Sequence, residues 1–185
     1  NFLDETLSSL FCPDVLDDIE VFIVNDGSKD ATADIARKYV EKCPTSFFLI
    51  DKNNGGYGST INASVLKATG KYFRLLDGDD WFDKTELIKY ISALKKTDSD
   101  LVITDFVKRI QTTKEEKREI TNYRYAIGEI INVSEIYSMA MHSTTVKTEL
   151  LQKGKVSITE HCFYTDFEFI MKSFLLSSTF TYFPI

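Results

Sequence analysis

Apolar positions along this chain fall into short continuous runs separated by stretches of helical period, which predicts strands alternating with helices. Residues 1–11 carry Phe2, Leu3, Leu7 and Leu10 near helical spacing, and Pro13 follows where such a helix would end. Residues 19–24 form a β-branched apolar run that stops at Asn25-Asp26-Gly27-Ser28, which is turn chemistry: a buried strand opening into a loop. Asp30 is placed to cap the next helix, whose Ala36, Tyr39, Val40 and Cys43 share a face before Pro44. A second strand over 46–50 runs into the loop 52–58, and Ile61, Val65 and Ala68 mark a third helix ending at Gly70.

The strand 71–76 leads into a helix capped by Asp83, with Glu86 three residues on and Leu87, Ile88, Ile91 and Leu94 as its apolar face. A further apolar strand covers 100–107. Such repeats predict an α/β, Rossmann-like, mostly parallel sheet with helices on both faces. Ligands of such sheets bind at the carboxyl ends of the strands, where the loops 25–28, 53–58 and 77–80 stand. Residues 108–124 are charged and weakly periodic, reading as a solvated loop or short helix. The remainder is more irregular. Ile136, Met139 and Ala140 suggest a helix from Asn132, 143–146 a short strand, and 149–152 a helical turn ended by Gly154. Thr165 with Glu168 reads as the capping box of a last helix burying Phe167, Ile170, Met171 and Phe174, and 179–185 as a closing strand.

With 185 residues, 43% of them hydrophobic, the chain is long enough for one domain with a full core. A net charge of -6 argues against a nucleic-acid partner held in a basic groove; an acidic protein meets anionic phosphates locally, through a metal ion. Cys12, Cys43 and Cys162 have neither disulfide nor metal-ligand spacing and read as reduced core residues in a cytoplasmic setting. No apolar stretch reaches the roughly 18 residues of a spanning helix and no leader opens the chain. Membrane association through parts outside this chain stays open.

The densest chemistry lies in Leu76-Asp77-Gly78-Asp79-Asp80, where an apolar run ends in three carboxylates. Strand alternation would point Asp77 and Asp79 the same way, with Gly78 allowing close approach, and so make a cradle for magnesium or manganese. Asp80 and Asp83 read as solvated turn and cap residues. Asp166, in the first turn of the last helix, reads on its own as a helix starter. His142 and His161 have no carboxylate at useful sequence spacing and read as structural.

Val24-Asn25-Asp26-Gly27-Ser28-Lys29-Asp30, then the segment from Asn54-Gly55-Gly56-Tyr57-Gly58 to Asn62-Ala63, then Leu76-Asp77-Gly78-Asp79-Asp80-Trp81, in this order and spacing, resemble the family 2 glycosyltransferases of GT-A fold. The resemblance is strong up to Trp81 and looser to the end. It implies an inverting transferase that moves a sugar from a nucleotide sugar, a UDP-sugar foremost, to an acceptor hydroxyl in glycan or cell-surface polysaccharide synthesis. It implies Asp26 on the nucleobase, Asn54 and Gly56 shaping the nucleotide pocket, Asp77 on ribose or diphosphate and metal, and Asp79 as a direct metal ligand. Phe163-Tyr164-Thr165-Asp166-Phe167-Glu168 resembles the family's late acidic motif, which makes Asp166 the general base. The acceptor would be a glycan, a lipid-linked molecule or a protein, and the setting cytoplasmic or the inner face of a membrane.

Two departures stand out. Thr60-Ile61-Asn62 replaces the family's Ala-Arg-Asn, and the first strand with its Pro-x-Tyr-Asn ending is missing upstream. The chain thus reads as one catalytic domain truncated at both ends, with a nucleotide-sugar half (1–107) and an acceptor half (108–185). A sugar nucleotidyltransferase and a non-catalytic carbohydrate- or partner-binding domain are the alternatives.

Overall fold

The computed structural model describes residues 2–110, 113, 115–119 and 125–185. The first half alternates as the hydrophobic pattern predicts: α1 (Phe2–Leu10), β1 (Val21–Asp26), α2 (Thr32–Lys42), β2 (Phe47–Lys52), α3 (Tyr57–Val65), β3 (Tyr72–Arg74), α4 (Lys84–Lys96) and β4 (Leu101–Thr104). Asp83 caps α4 by accepting from the Thr85 and Glu86 amides. The strands β1 and β2 pair in parallel, from Val21 opposite Phe47 to Asp26 opposite Lys52.

Side chains alternate across these strands and so divide the core in two. Ile23 of β1 joins Leu7 and Leu10 of α1, Ala36 and Tyr39 of α2, and Leu87, Tyr90 and Ile91 of α4. Phe22 packs on the opposite side against a cluster that holds Ile61 and Val65 of α3. Two later helices, α5 (Thr148–Lys153) and α6 (Thr165–Leu176), add Leu151, Phe169 and Ile170 to that second cluster. Full burial of a side chain such as Phe47, Phe169 or Leu151 contributes about 1.5–3 kcal/mol each.

The second half supplies β5 (Phe106–Arg109), β6 (Glu116–Glu119), β7 (Ile131–Asn132), β8 (Thr144–Lys147) and β9 (Thr179–Phe183). The larger sheet runs β3-β8-β4-β9-β7. The pair β4–β9 is parallel, whereas β8 lies antiparallel to both β3 and β4, and β7 antiparallel to β9. The α/β sheet is therefore parallel in β1–β2 and β4–β9 and mixed where the irregular half enters.

Several local expectations change. The charged segment after β4 forms the hairpin β5–β6, with Lys108 opposite Lys117 and Arg109 opposite Glu116; the part of the expected loop or helix at 111, 112, 114 and 120–124 lies outside the described residues. Arg118 of β6 anchors the hairpin by donating to the buried Asp105 carboxylate at 2.8 Å and to the Pro184 carbonyl. From Asn132 the chain makes a 3-10 turn rather than a helix, because the Asn132 side chain captures the Ser134 amide and Ile136 returns to extended backbone. The α6 capping box does not form. Tyr164 starts the helix in the left-handed region, φ 61°, and Glu168 turns to the Thr159 amide and Lys172 instead. That start brings Phe169, Ile170 and Ser173 inward and leaves Phe167 and Met171 exposed. Among the cysteines only Cys12 is buried; Cys162 is exposed.

One feature of the sheet is an interruption. Among the described residues β1 pairs as a strand only with β2, and β3 only with β8. A cavity of about 810 Å³ opens between β1 and β3, lined by Phe22 and Val24, by Phe73 and Leu75, and by Ile61 and Leu87 from the helices on the two faces.

Candidate active site

The strand β3 ends at Arg74, so Asp77 to Asp80 form a turn rather than strand, closed by the Asp80 amide donating to the Asp77 carbonyl at 3.0 Å. In a turn the side chains of positions i and i+3 come together, whereas strand alternation would pair i and i+2. The structure accordingly groups Asp77 with Asp80 and leaves Asp79 exposed at the tip. The turn is braced from α1: Thr6 donates to the Gly78 carbonyl at 3.0 Å, and Ser9 accepts from the Phe82 amide at 3.1 Å.

His142, from the 3-10 turn that precedes β8, completes the group, its Nδ1 lying 3.1 Å from an Asp80 oxygen. The Asp80 hydrogen bond holds the His142 pKa above its usual range, with burial and Arg74 acting against it. One ligand atom from each of Asp77, Asp80 and His142 lies within 4.8 Å of the others. Two carboxylates and an imidazole at a half-exposed rim, open to further ligands, suit manganese or magnesium sharing its sphere with phosphate. Tyr57 donates to Asp77 at 2.7 Å and fixes its orientation. Desolvation, then the Asp77 carboxylate and the charges of Asp166 and Asp80, push the Tyr57 hydroxyl upward, so it stays a donor.

Asp26 stands at the end of β1 and organises the loop after β2. One of its oxygens accepts from Lys52 at 2.7 Å and the Gly55 amide at 2.9 Å, the other from the Gly56 amide at 2.8 Å. Burial acts to raise its pKa, but these donors outweigh burial and hold it below the usual carboxylate range. One lone pair remains on the second oxygen for a ligand. Asn54 donates to the Asp26 carbonyl at 3.0 Å. Gly56 has φ 81°, and a Cβ there would crowd the His161 backbone at 3.2 Å, so glycine is required.

Asp166 reaches this face because the segment before α6 is fastened to α3. Asn62 accepts from the Ile158 amide at 2.7 Å and donates to the Ile158 carbonyl at 2.9 Å; the His161 amide donates to the Gly55 carbonyl at 2.8 Å. The Asp166 charge is near enough to act on the Tyr57 hydroxyl. Asp166 is exposed. The sequence reads Asp80 as a solvated turn residue and His142 as structural, and gives Tyr57 and Asn62 no role of this kind; the structure groups the first two and ties the others to the site. Of these only Asp80 left a signal, since Asp-Gly-Asp-Asp has the composition of a four-residue turn.

The model of the family described as glycosyl transferase family 2 matches residues 1–173. The uncharacterized glycosyltransferase RP339 of Rickettsia prowazekii is 36% identical over 103 residues, 56% of this chain and 31% of its own length. The chain thus spans under a third of that curated relative. S. aureus TarS 1-349 in complex with UDP-GlcNAc superposes with a TM-score of 0.72 at 20% identity, over 99% of this chain and 55% of that one. The mannosyltransferase PcManGT from Pyrobaculum calidifontis, in complex with GDP-Man and Mn2+, superposes at 0.70 and 16% identity, over 99% and 51%. At these identities the likeness is one of fold.

Proposed function

The chain belongs to glycosyl transferase family 2, and on that premise we propose that it is the catalytic part of a metal-dependent, inverting enzyme taking a UDP-sugar as donor and a glycan, lipid-linked or protein hydroxyl as acceptor. Synthesis of cell-surface polysaccharide is the setting that fits best. The observation that supports the reading is the grouping of Asp77, Asp80 and His142 around the turn that follows β3, with Tyr57 bonded to Asp77. No helix of the described residues is long and apolar enough to cross a membrane.

Asp77, Asp80 and His142 would hold the divalent ion, which when bound neutralises charge on the diphosphate leaving group. Asp79, the ligand expected from strand alternation, stands outside that trio. The free lone pair of Asp26 and the Gly56 approach form the nucleotide side. Asp166 accepts the proton of the attacking hydroxyl, and one displacement from the opposite face inverts the anomeric centre. An extended segment seated in the opening between β1 and β3 would give one continuous sheet; the apolar lining on both faces supports that placement.

The reading is tested by screening the full-length protein against UDP-, GDP- and dTDP-sugars with Mn2+ and with chelator. Hydrolysis or transfer with one donor, lost on chelation, is the expected result; no turnover of any donor under either condition would overturn it.

Asp26 carries a prediction of its own. Asp26→Ala orphans the Gly55 and Gly56 amides, so it lowers stability by about 1–3 kcal/mol and weakens UDP binding together. Thermal melts and calorimetry check this; wild-type values in both would remove Asp26 from the site.

A further inference from the structure

We infer that Arg74 is a positioning residue that sets His142 and Asp80 against each other, an inference that rests on the metal-site reading above. Arg74 ends β3 directly opposite Thr145 on β8. Its Nη2 donates to the carbonyl of His142, and its Nη1 to Thr104 at 3.1 Å and Thr145 at 3.4 Å. The guanidinium lies over the rings of Phe82, at 5.4 Å, and Tyr90, at 5.1 Å, which stack on each other. Phe82 follows the acidic turn by two residues, and Tyr90 bonds Thr145 at 2.6 Å. One planar group therefore touches both sides of the site: the backbone that carries the His142 ring, and the segment that fixes Asp80.

A packing role alone does not account for an arginine here. Its Nε is buried without a hydrogen-bond partner. An apolar side chain of similar volume would fill the space at lower cost. What methionine or leucine lacks is a fork of donors that binds the His142 carbonyl and both hydroxyls at once while stacking on two rings. Lysine offers the charge but not the fork.

The test uses the full-length protein and Mn2+ alone, titrated by electron paramagnetic resonance, with metal-free UDP binding measured beside it. Arg74→Met and Arg74→Lys are expected to raise the Mn2+ dissociation constant about tenfold or more, the usual scale for losing an outer-shell support, with metal-free UDP affinity unchanged. The double variant Arg74→Met/His142→Ala should lose clearly less Mn2+ affinity than the sum of the two single losses, because part of the Arg74 effect runs through the His142 carbonyl. Additive losses, or Mn2+ binding at wild-type strength in both Arg74 variants, would overturn the proposal. If instead Asp80→Ala and His142→Ala both bind Mn2+ normally, it is the metal-site reading that fails. Should Arg74→Met not fold, Arg74→Lys and its double variant with His142→Ala carry the same comparison.

Discussion

Asp166→Asn transfers sugar about a hundredfold or more slowly than the wild type, while nucleotide-sugar affinity and melting temperature stay where they were. The change keeps size and shape and removes the charge and the ability to take a proton. A competing role exists, since an acid in the first turn of α6 interacts favourably with the helix dipole. That role predicts a stability loss below about 1 kcal/mol and normal turnover, the opposite pattern. The structure sharpens the contrast. Asp166 is exposed and α6 has no side-chain cap to lose, whereas Glu168 in the same turn holds the Thr159 amide at 3.0 Å and Lys172 at 2.6 Å. Glu168→Gln should therefore loosen the segment before α6 and shift stability more than rate. Single-turnover transfer and thermal melts on both variants decide it. A near wild-type rate for Asp166→Asn would move the base elsewhere, with Glu160, held beside Asn62, the next to change.

The second large effect separates the carboxylates of the acidic turn. Asp80→Ala and His142→Ala should each raise the Mn2+ concentration needed for half-maximal activity by roughly a hundredfold, since each removes one of three protein donors. Asp79→Asn should leave it within a factor of about three, because Asp79 is exposed and no part of the trio. UDP affinity in chelator should be unchanged throughout, as the diphosphate reaches these side chains only through the ion. The reverse ranking, with Asp79→Asn severe and Asp80→Ala mild, would mean that the turn rearranges to strand-like alternation when the metal arrives.

The difference between Asp79 and Asp80 shows how far the sequence could be read. Strong apolar runs with turn signals at their ends placed β1, β2, α2 and α4, because burial and chain reversal leave local marks. The acidic turn was located but its internal geometry was not: alternation assumes a strand that persists past Leu76, and β3 stops at Arg74. His142 was out of reach for a different reason. Its partner Asp80 is far along the chain, and only the antiparallel entry of β8 beside β3 brings the two together, a direction that no local pattern declares. In α6 the residue that starts the helix is Tyr164 in a left-handed conformation, whereas Thr165 with Glu168 reads as a cap; the error displaced the buried face. The hairpin β5–β6 looked like a solvated charge run because its Lys, Arg and Glu residues face water and pair across strands.

The opening between β1 and β3 also governs how the chain behaves in company. A strand seated there makes β1 an interior strand with both edges bonded. Among the described residues β1 pairs with β2 along one edge only, and its other edge is flanked by Phe22 and Val24. That is the template on which extended segments of other molecules add. Its acidic surface, at a net charge of -6, slows such encounters without removing the template.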